Sequence, residues 1–181
     1  MPAGSVFDTS TGLGNLRLDF TGAGQHTGYA FFDHELSEAV NGFSNELGTV
    51  AGVPAAGQSW EIDEPGFPSG DIYANFLAGT LDNSIGTPNP DDVSMAMGGN
   101  FILGPGETGQ VNLLLTTRQP SGFHLRQFDP DSNEAIFLAS SLSIVPVGVP
   151  ESSMTLTFAA LSAIALLGAA SRWGASARSN E

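Results

Sequence analysis

The sequence predicts an all-β fold, an antiparallel β-sandwich of the jelly-roll or immunoglobulin-like kind, followed by a single C-terminal transmembrane helix. Three observations support this prediction. Apolar and polar residues alternate in short segments between residues 15 and 144, as in strands with one buried face. Gly, Pro, Asn and Asp residues separate these segments and favour turns. Beyond residue 150 the alternation stops, and a run of twenty uncharged residues begins at Ser152.

The predicted strands are the segments with alternating or aromatic-rich sequence. They cover residues 15–20, 29–33, 59–63, 93–103, 111–115, 123–128 and 136–144. Residues 71–77 carry apolar side chains at spacings that also suit a short helix. Residues 35–40 fit either a helical turn or a polar edge strand, and the Pro-rich residues 87–92 predict a rigid loop.

Two turns are defined by their residue types. Gly104, Pro105 and Gly106 separate two apolar runs, so residues 104–107 are predicted to close a hairpin. Residues 129–133, which read Asp-Pro-Asp-Ser-Asn, are predicted to close the next hairpin.

The composition excludes several functions. The chain has 181 residues, 5 Lys plus Arg against 19 Asp plus Glu, a formal net charge of -14 and no cysteine. A phosphate-binding surface needs positive charge, so nucleic-acid binding is not expected. Disulfide, zinc-thiolate and cysteine-nucleophile chemistry are excluded outright.

Most of the acidic residues lie in the first part of the chain. Residues 1–150 hold three Arg and seventeen acids, whereas residues 151–181 have no net charge. We therefore expect a β-sandwich ectodomain at residues 1–146, a linker at 147–152, a transmembrane helix at 153–171 and a short Arg-containing cytoplasmic tail at 172–181.

The transmembrane prediction depends on length and charge. Residues 152–171 contain no charged side chain, and twenty helical residues span about 30 Å, the thickness of bilayer hydrocarbon. Arg172 and Trp173 follow directly, and Arg178 lies nearer the end, as the positive-inside rule and the interfacial aromatic belt predict. The C-terminus would then be cytoplasmic, with residues 1–146 on the outside.

The order of these elements resembles the PEP-CTERM sorting signal of exported bacterial proteins, which is Val-Pro-Glu-Pro, a transmembrane helix and a short basic tail. Val149, Pro150 and Glu151 match this pattern, while Ser152 stands where the second Pro is usual. Arg172 and Arg178 form the basic tail. The resemblance implies recognition and processing by a membrane-embedded exosortase in a Gram-negative bacterium that makes exopolysaccharide.

The ectodomain also resembles the β-sandwich domains that precede such signals. The resembling segments are residues 41–46, 57–66, 91–96 and 121–132. The resemblance brings no catalytic residue. Because export also needs an N-terminal signal and residues 1–8 have neither a basic nor an apolar region, we expect the natural start to lie upstream of Met1.

No enzyme site is predicted. His26, His34 and His124 do not lie at ligand spacing, and His124 is expected to be solvated on the polar face of its strand. Asp33, His34 and Glu35 are interpreted as a solvent-facing edge rather than a metal or acid–base cluster. The chain lacks a Gly-x-Ser-x-Gly nucleophile elbow.

No cofactor is predicted, and calcium is the cofactor that the sequence leaves as an alternative. Asp129, Asp131 and Asn133 copy the opening of an EF-hand loop, but Glu134 and Ser140 occupy positions that require Gly and Glu. The alternative interpretation is a hairpin turn whose Asp and Asn side chains cap backbone N–H groups. A different calcium site at this turn, or one that uses Asp91 and Asp92, is not excluded.

The sequence thus predicts a non-enzymatic surface or extracellular-matrix protein, first anchored in the membrane and then released to the cell surface. The resemblance implies an exosortase and exopolysaccharide as partners, and the predicted helix implies membrane lipid. The alternatives are a carbohydrate- or calcium-binding module anchored to the envelope and, third, a hydrolase.

Overall fold

The computed structural model describes residues 1–36, 44–66, 69–86 and 90–147. These residues form strands and one short helix. In chain order they are β1 (Val6–Asp8), β2 (Leu13–Thr21), β3 (Gly24–Asp33), β4 (Leu47–Ala51), β5 (Gln58–Asp63), α1 (Ile72–Ala78), β6 (Ser94–Leu103), β7 (Glu107–Thr116), β8 (His124–Phe128) and β9 (Ala135–Pro146).

The strands form two antiparallel sheets. The six-stranded sheet has the order β1-β2-β7-β9-β8-β4, and the three-stranded sheet has the order β3-β6-β5. Each predicted strand segment falls on an observed strand. The prediction of a mainly β, antiparallel fold is therefore confirmed.

One apolar core lies between the two sheets, as in a β-sandwich. Met95 and Met97 on β6 contribute from the smaller sheet, and Val111, Leu113 and Leu115 contribute from β7 of the larger sheet. All five side chains are at most 1% exposed. Burial of a side chain of this size contributes about 1.5–3 kcal/mol, so the alternation read in the sequence also gives the fold much of its stability.

The turn at residues 104–107 corrects one prediction. It does not close a hairpin, because β6 pairs with β3 and β5, whereas β7 pairs with β2 and β9. The turn residues reverse the chain as predicted, with the Glu107 N–H donating to the Gly104 carbonyl at 3.2 Å. The reversed chain enters the opposite sheet, and Leu103 on β6 and Val111 on β7 bury their side chains in the core between the two layers.

The other local predictions are confirmed where the structure describes them. Residues 129–133 connect the paired strands β8 and β9. Helix α1 forms within the segment whose apolar spacing also suits a short helix, and it ends at Gly79, which has a φ of 71° that suits glycine. The helix buries Ile72 with Leu81 and Ala96, against the outer face of the smaller sheet.

Several predicted elements fall on residues that the structure does not describe. They are residues 37–40 of the ambiguous segment, residues 87–89 of the rigid loop, residues 148–152 of the linker, the predicted transmembrane helix 153–171 and the tail 172–181. Within the described ranges, no helix combines the length and the apolar character needed to cross a bilayer.

Candidate functional site

The predicted sorting residues lie outside the described part of the chain. They are Val149, Pro150, Glu151, Ser152, Arg172 and Arg178. The acidic and polar side chains considered next lie on the outer faces of the two sheets and in the loops.

The environment of His124 corrects a prediction. This side chain is only 4% exposed rather than solvated. Its Nδ1 is 2.8 Å from the Gly122 carbonyl oxygen, and its ring meets the ring of Phe137 edge to face at 5.6 Å. Strand β8 lies inside the larger sheet, between β9 and β4, so neighbouring strands flank both sides of the histidine.

Asp33 and Glu35 are exposed, as the interpretation of a solvent-facing edge requires. The fold also brings Asp92 to them, and carboxylate oxygens of the three residues lie within 4.8 Å of one another. Partial burial raises the pKa of Asp33 above its ordinary value. In the sequence these residues form two separate groups, because only the tertiary fold joins residue 92 to residue 33.

A second acidic cluster lies on the outer face of the smaller sheet and was not predicted. Carboxylate oxygens of Glu61, Asp63 and Asp71 lie within 4.8 Å of one another. Glu61 is 1% exposed and Asp63 is 8% exposed, although both face away from the core. The alternation in residues 59–63 already places Glu61 and Asp63 on one face, whereas Asp71 comes from the segment that leads into α1.

Hydrogen bonds explain how these buried carboxylates are tolerated. Glu61 accepts from Asn75 Nδ2 at 3.0 Å and from the Asp82 N–H at 3.1 Å. Asp63 accepts from the Asp71 N–H at 3.1 Å. Burial, and to a smaller extent the negative charges of Asp82 and Asp71, raise the pKa of Glu61.

The cluster has the chemistry of a site for a hard cation. Carboxylate oxygens are the ligands that calcium prefers, although calcium takes six to eight oxygen ligands and the cluster offers three side chains. The same carboxylates also fix the loop before α1 to strand β5. The cluster therefore has a structural role and a chemical capacity for cation binding.

The EF-hand-like turn is a capped hairpin turn. Asp129 is buried, and its two carboxylate oxygens accept from the N–H groups of Asp131 at 2.8 Å and Ser132 at 3.3 Å. Asn45 Nδ2 donates to Asp129 and to Asp131. These contacts support the alternative in which the acidic side chains stabilise the turn.

A depression whose lining includes an arginine and no acid lies on the outer face of the larger sheet. It has a volume of about 370 Å³ and is lined by Thr49, Ala51, Gln119, His124, Arg126 and Phe137. Thr49, Arg126 and Phe137 are direct cross-strand neighbours on β4, β8 and β9. None of the described residues that line the depression carries a carboxylate. Sequence reasoning missed this site because its residues come from three strands and a loop.

No protein-family model matches this chain, and neither a curated protein nor a solved structure matches it. A proposal of function therefore depends on the order of sequence elements and on the geometry of these surfaces.

Proposed function

We propose that this chain is an exported, non-enzymatic surface or extracellular-matrix protein with a PEP-CTERM-like sorting signal that an exosortase processes. The observation that carries the proposal is the order of elements after residue 148. Val149, Pro150 and Glu151 are followed by the charge-free run 152–171 and then by Arg172 and Arg178.

In this proposal the two-sheet domain is the cargo, a jelly-roll or immunoglobulin-like sandwich held at the membrane by a helix at residues 153–171. A charge-free segment of this length suits a bilayer. The acidic composition, with a formal net charge of -14, favours a soluble product after release. The catalytic chemistry belongs to the exosortase.

The measurement that tests this proposal is the intact mass of the protein from its native host, recovered separately from cytosol, membrane and medium. We expect a product that ends near residues 150–152, carries an added group and occurs at the surface or in the medium. A full-length chain in the cytosol would contradict export, and a full-length chain that remains in the membrane would contradict processing.

The second candidate function is a binding module for calcium or carbohydrate. The observation that favours calcium is the cluster of Glu61, Asp63 and Asp71, two of which are buried carboxylates. Titration calorimetry of the full chain in a non-ionic detergent, with calcium and then magnesium, tests it. Calcium binding that the variant Glu61→Gln loses would support this function, and absence of heat would contradict it.

A further inference from the structure

The charged side chains of the two sheets are distributed unequally between their outer faces. On the larger sheet, Arg17 and Arg126 lie on the face opposite the core, at positions that alternate with buried or partly buried apolar residues. On the smaller sheet, the corresponding outer face carries the buried acids Glu61 and Asp63. Asp19 lies on the same face of the larger sheet and pairs with Arg17, so of these two arginines Arg126 is the one without a salt bridge among the described residues.

The depression on this face follows from residue size and register. Phe137 and His124 are 7% and 4% exposed and form its floor. Thr49 and Ala51 on the edge strand β4 are small and exposed, so the sheet surface remains open beside them. The volume of about 370 Å³ falls in the range of small-ligand sites, about 300–1,000 Å³.

An aromatic neighbour restricts the side chain of Arg126. Its guanidinium carbon lies 4.1 Å from the centroid of the Phe128 ring, which restricts the side chain through a cation–π contact. Among the described residues Arg126 has no salt bridge, whereas Arg17 is paired with Asp19 at 2.8 Å. A planar guanidinium with five N–H donors matches a carboxylate in a bidentate arrangement.

The other polar groups suit a neutral hydroxylated framework. The Thr49 hydroxyl can donate and accept hydrogen bonds, and the Gln119 amide can do both as well. A nucleic acid would need many cations, and this depression offers one arginine beside neutral donors and acceptors. The residues that line the depression include no acid, so a ligand in contact with them meets Arg126 without a carboxylate among its lining neighbours.

We propose that the depression formed by Thr49, Ala51, Gln119, His124, Arg126 and Phe137 binds a uronate unit of an acidic polysaccharide. The sugar carboxylate pairs with Arg126, and its hydroxyl groups bond to Thr49 and Gln119. This proposal deepens the proposed surface function and rests on it for contact with extracellular polysaccharide. The binding itself is measured on purified protein and does not depend on processing.

The test is titration calorimetry of the full chain in a non-ionic detergent with trigalacturonate, with EDTA present so that no divalent cation bridges the partners. The comparison ligand is a neutral trisaccharide of similar size. We expect binding of trigalacturonate and at least tenfold weaker binding of the neutral sugar. Equal binding of both sugars, or no binding of trigalacturonate, would overturn the proposal.

Three variants locate the site. Arg126→Gln removes the charge and is expected to weaken binding at least tenfold. Ala51→Leu fills the depression while keeping the charge and should weaken binding to a similar extent. Arg17→Gln removes the same unit charge three strands away and should leave binding unchanged.

Circular dichroism melts establish that each variant is folded. Unchanged affinity in Arg126→Gln or in Ala51→Leu would overturn the location of the site. If mass spectrometry shows no processing of the chain while trigalacturonate still binds, the sorting function fails and this binding site stands.

Discussion

Gln127 on β8 donates a hydrogen bond to the carboxylate of Glu46, and both side chains are enclosed in the protein, at 0% and 1% exposure. The same carboxylate accepts from the N–H groups of Leu36 at 3.1 Å and Val93 at 3.3 Å. One acidic side chain thus ties together the chain after β3, the chain before β6 and strand β8. Among the described residues, the observed salt bridge joins Arg17 to Asp19, so Glu46 is held by hydrogen bonds.

Burial of Glu46 makes stability depend on pH. Loss of hydration raises the pKa of its carboxyl to about 7 from 4.5, and the nearby charge of Glu35 acts in the same direction although its effect is smaller. The folded protein therefore binds the proton more tightly than the unfolded chain does. The resulting stabilisation is complete below pH 4.5 and is lost as the pH rises through about 7.

The variant Glu46→Gln should remove this dependence. We expect the free energy of unfolding of the wild-type chain to fall by up to about 3 kcal/mol between pH 4.5 and pH 8 through this group. Urea unfolding at a series of pH values measures it. The slope against pH is the readout, because the new amide also places an N–H group among existing donors and changes the absolute stability.

A matched variant separates this effect from that of other acids. Glu107 lies at the turn between β6 and β7, and Glu107→Gln should retain the wild-type slope between pH 4.5 and pH 8. If Glu46→Gln and Glu107→Gln give parallel pH profiles, the titration of Glu46 does not control the stability in this range.

The strands could be predicted from sequence because their signal is local. Val111, Leu113 and Leu115 alternate with less buried neighbours, and a period of two requires no knowledge of partners. The destination of each strand is not local. Residues 104–107 reverse the chain equally well within a sheet or between sheets, so their sequence could not exclude the crossover.

The candidate sites were less predictable for the same reason. Glu61 and Asp63 could be placed on one face, but Asp71 reaches them only through the loop that precedes α1. His124 alternates with apolar residues in the manner of a solvated side chain, and it is buried because Phe137 lies beside it. Clusters built from several strands become visible only when the register is known.

Gly98 is expected to be required at its position in β6. A methyl group added there would overlap the carbonyl oxygen of Gly28 and the ring of Tyr29 on the adjacent strand β3. Backbone atoms cannot rotate away from the added methyl group as the end of a flexible side chain can. Gly98→Ala should therefore destabilise the fold by about 1–3 kcal/mol. Thermal or urea unfolding monitored by circular dichroism measures the loss.

Gly99 provides the matched control on the same strand. A methyl group at this position would lie 3.4 Å from the Gly57 carbonyl oxygen, an ordinary contact distance. Gly99→Ala should therefore change the free energy of unfolding by less than about 1 kcal/mol, because alanine also lowers the conformational entropy of the unfolded chain. Equal losses in the two variants would contradict the packing argument.

Asp71 should destabilise the acidic cluster in the absence of a cation. Its charge lies near the buried carboxylate of Glu61 and helps to raise that group's pKa. Asp71→Asn should raise Tm by about 1–2 °C in EDTA at neutral pH, because one repulsive contact is relieved. Glu107→Gln removes a unit charge elsewhere and keeps an amide oxygen that can accept from the Gly104 N–H, as the Glu107 carboxylate does at 2.7 Å, so it should leave Tm nearly unchanged.

Calcium changes the expectation if the cluster binds it. Millimolar calcium should then raise the Tm of the wild-type chain, since a ligand that binds the native state stabilises it. The same addition should have a smaller effect on Asp71→Asn. Identical Tm values for the wild-type chain with calcium and with EDTA would exclude a calcium site that contributes to stability.

The last prediction concerns processing at the C-terminal segment. Ser152 departs from the resembling Val-Pro-Glu-Pro pattern, so Ser152→Pro should increase the fraction of chain that is processed in the native host. Pro150→Ala removes a residue that matches the pattern and should decrease this fraction. Both substitutions leave the charge-free run 153–171 and the two terminal Arg residues intact, so membrane insertion should be equal in the two variants. Quantitative intact-mass spectrometry of membrane and medium fractions compares them. Equal processed fractions in both variants and in the wild-type chain would show that residues 150–152 do not direct cleavage.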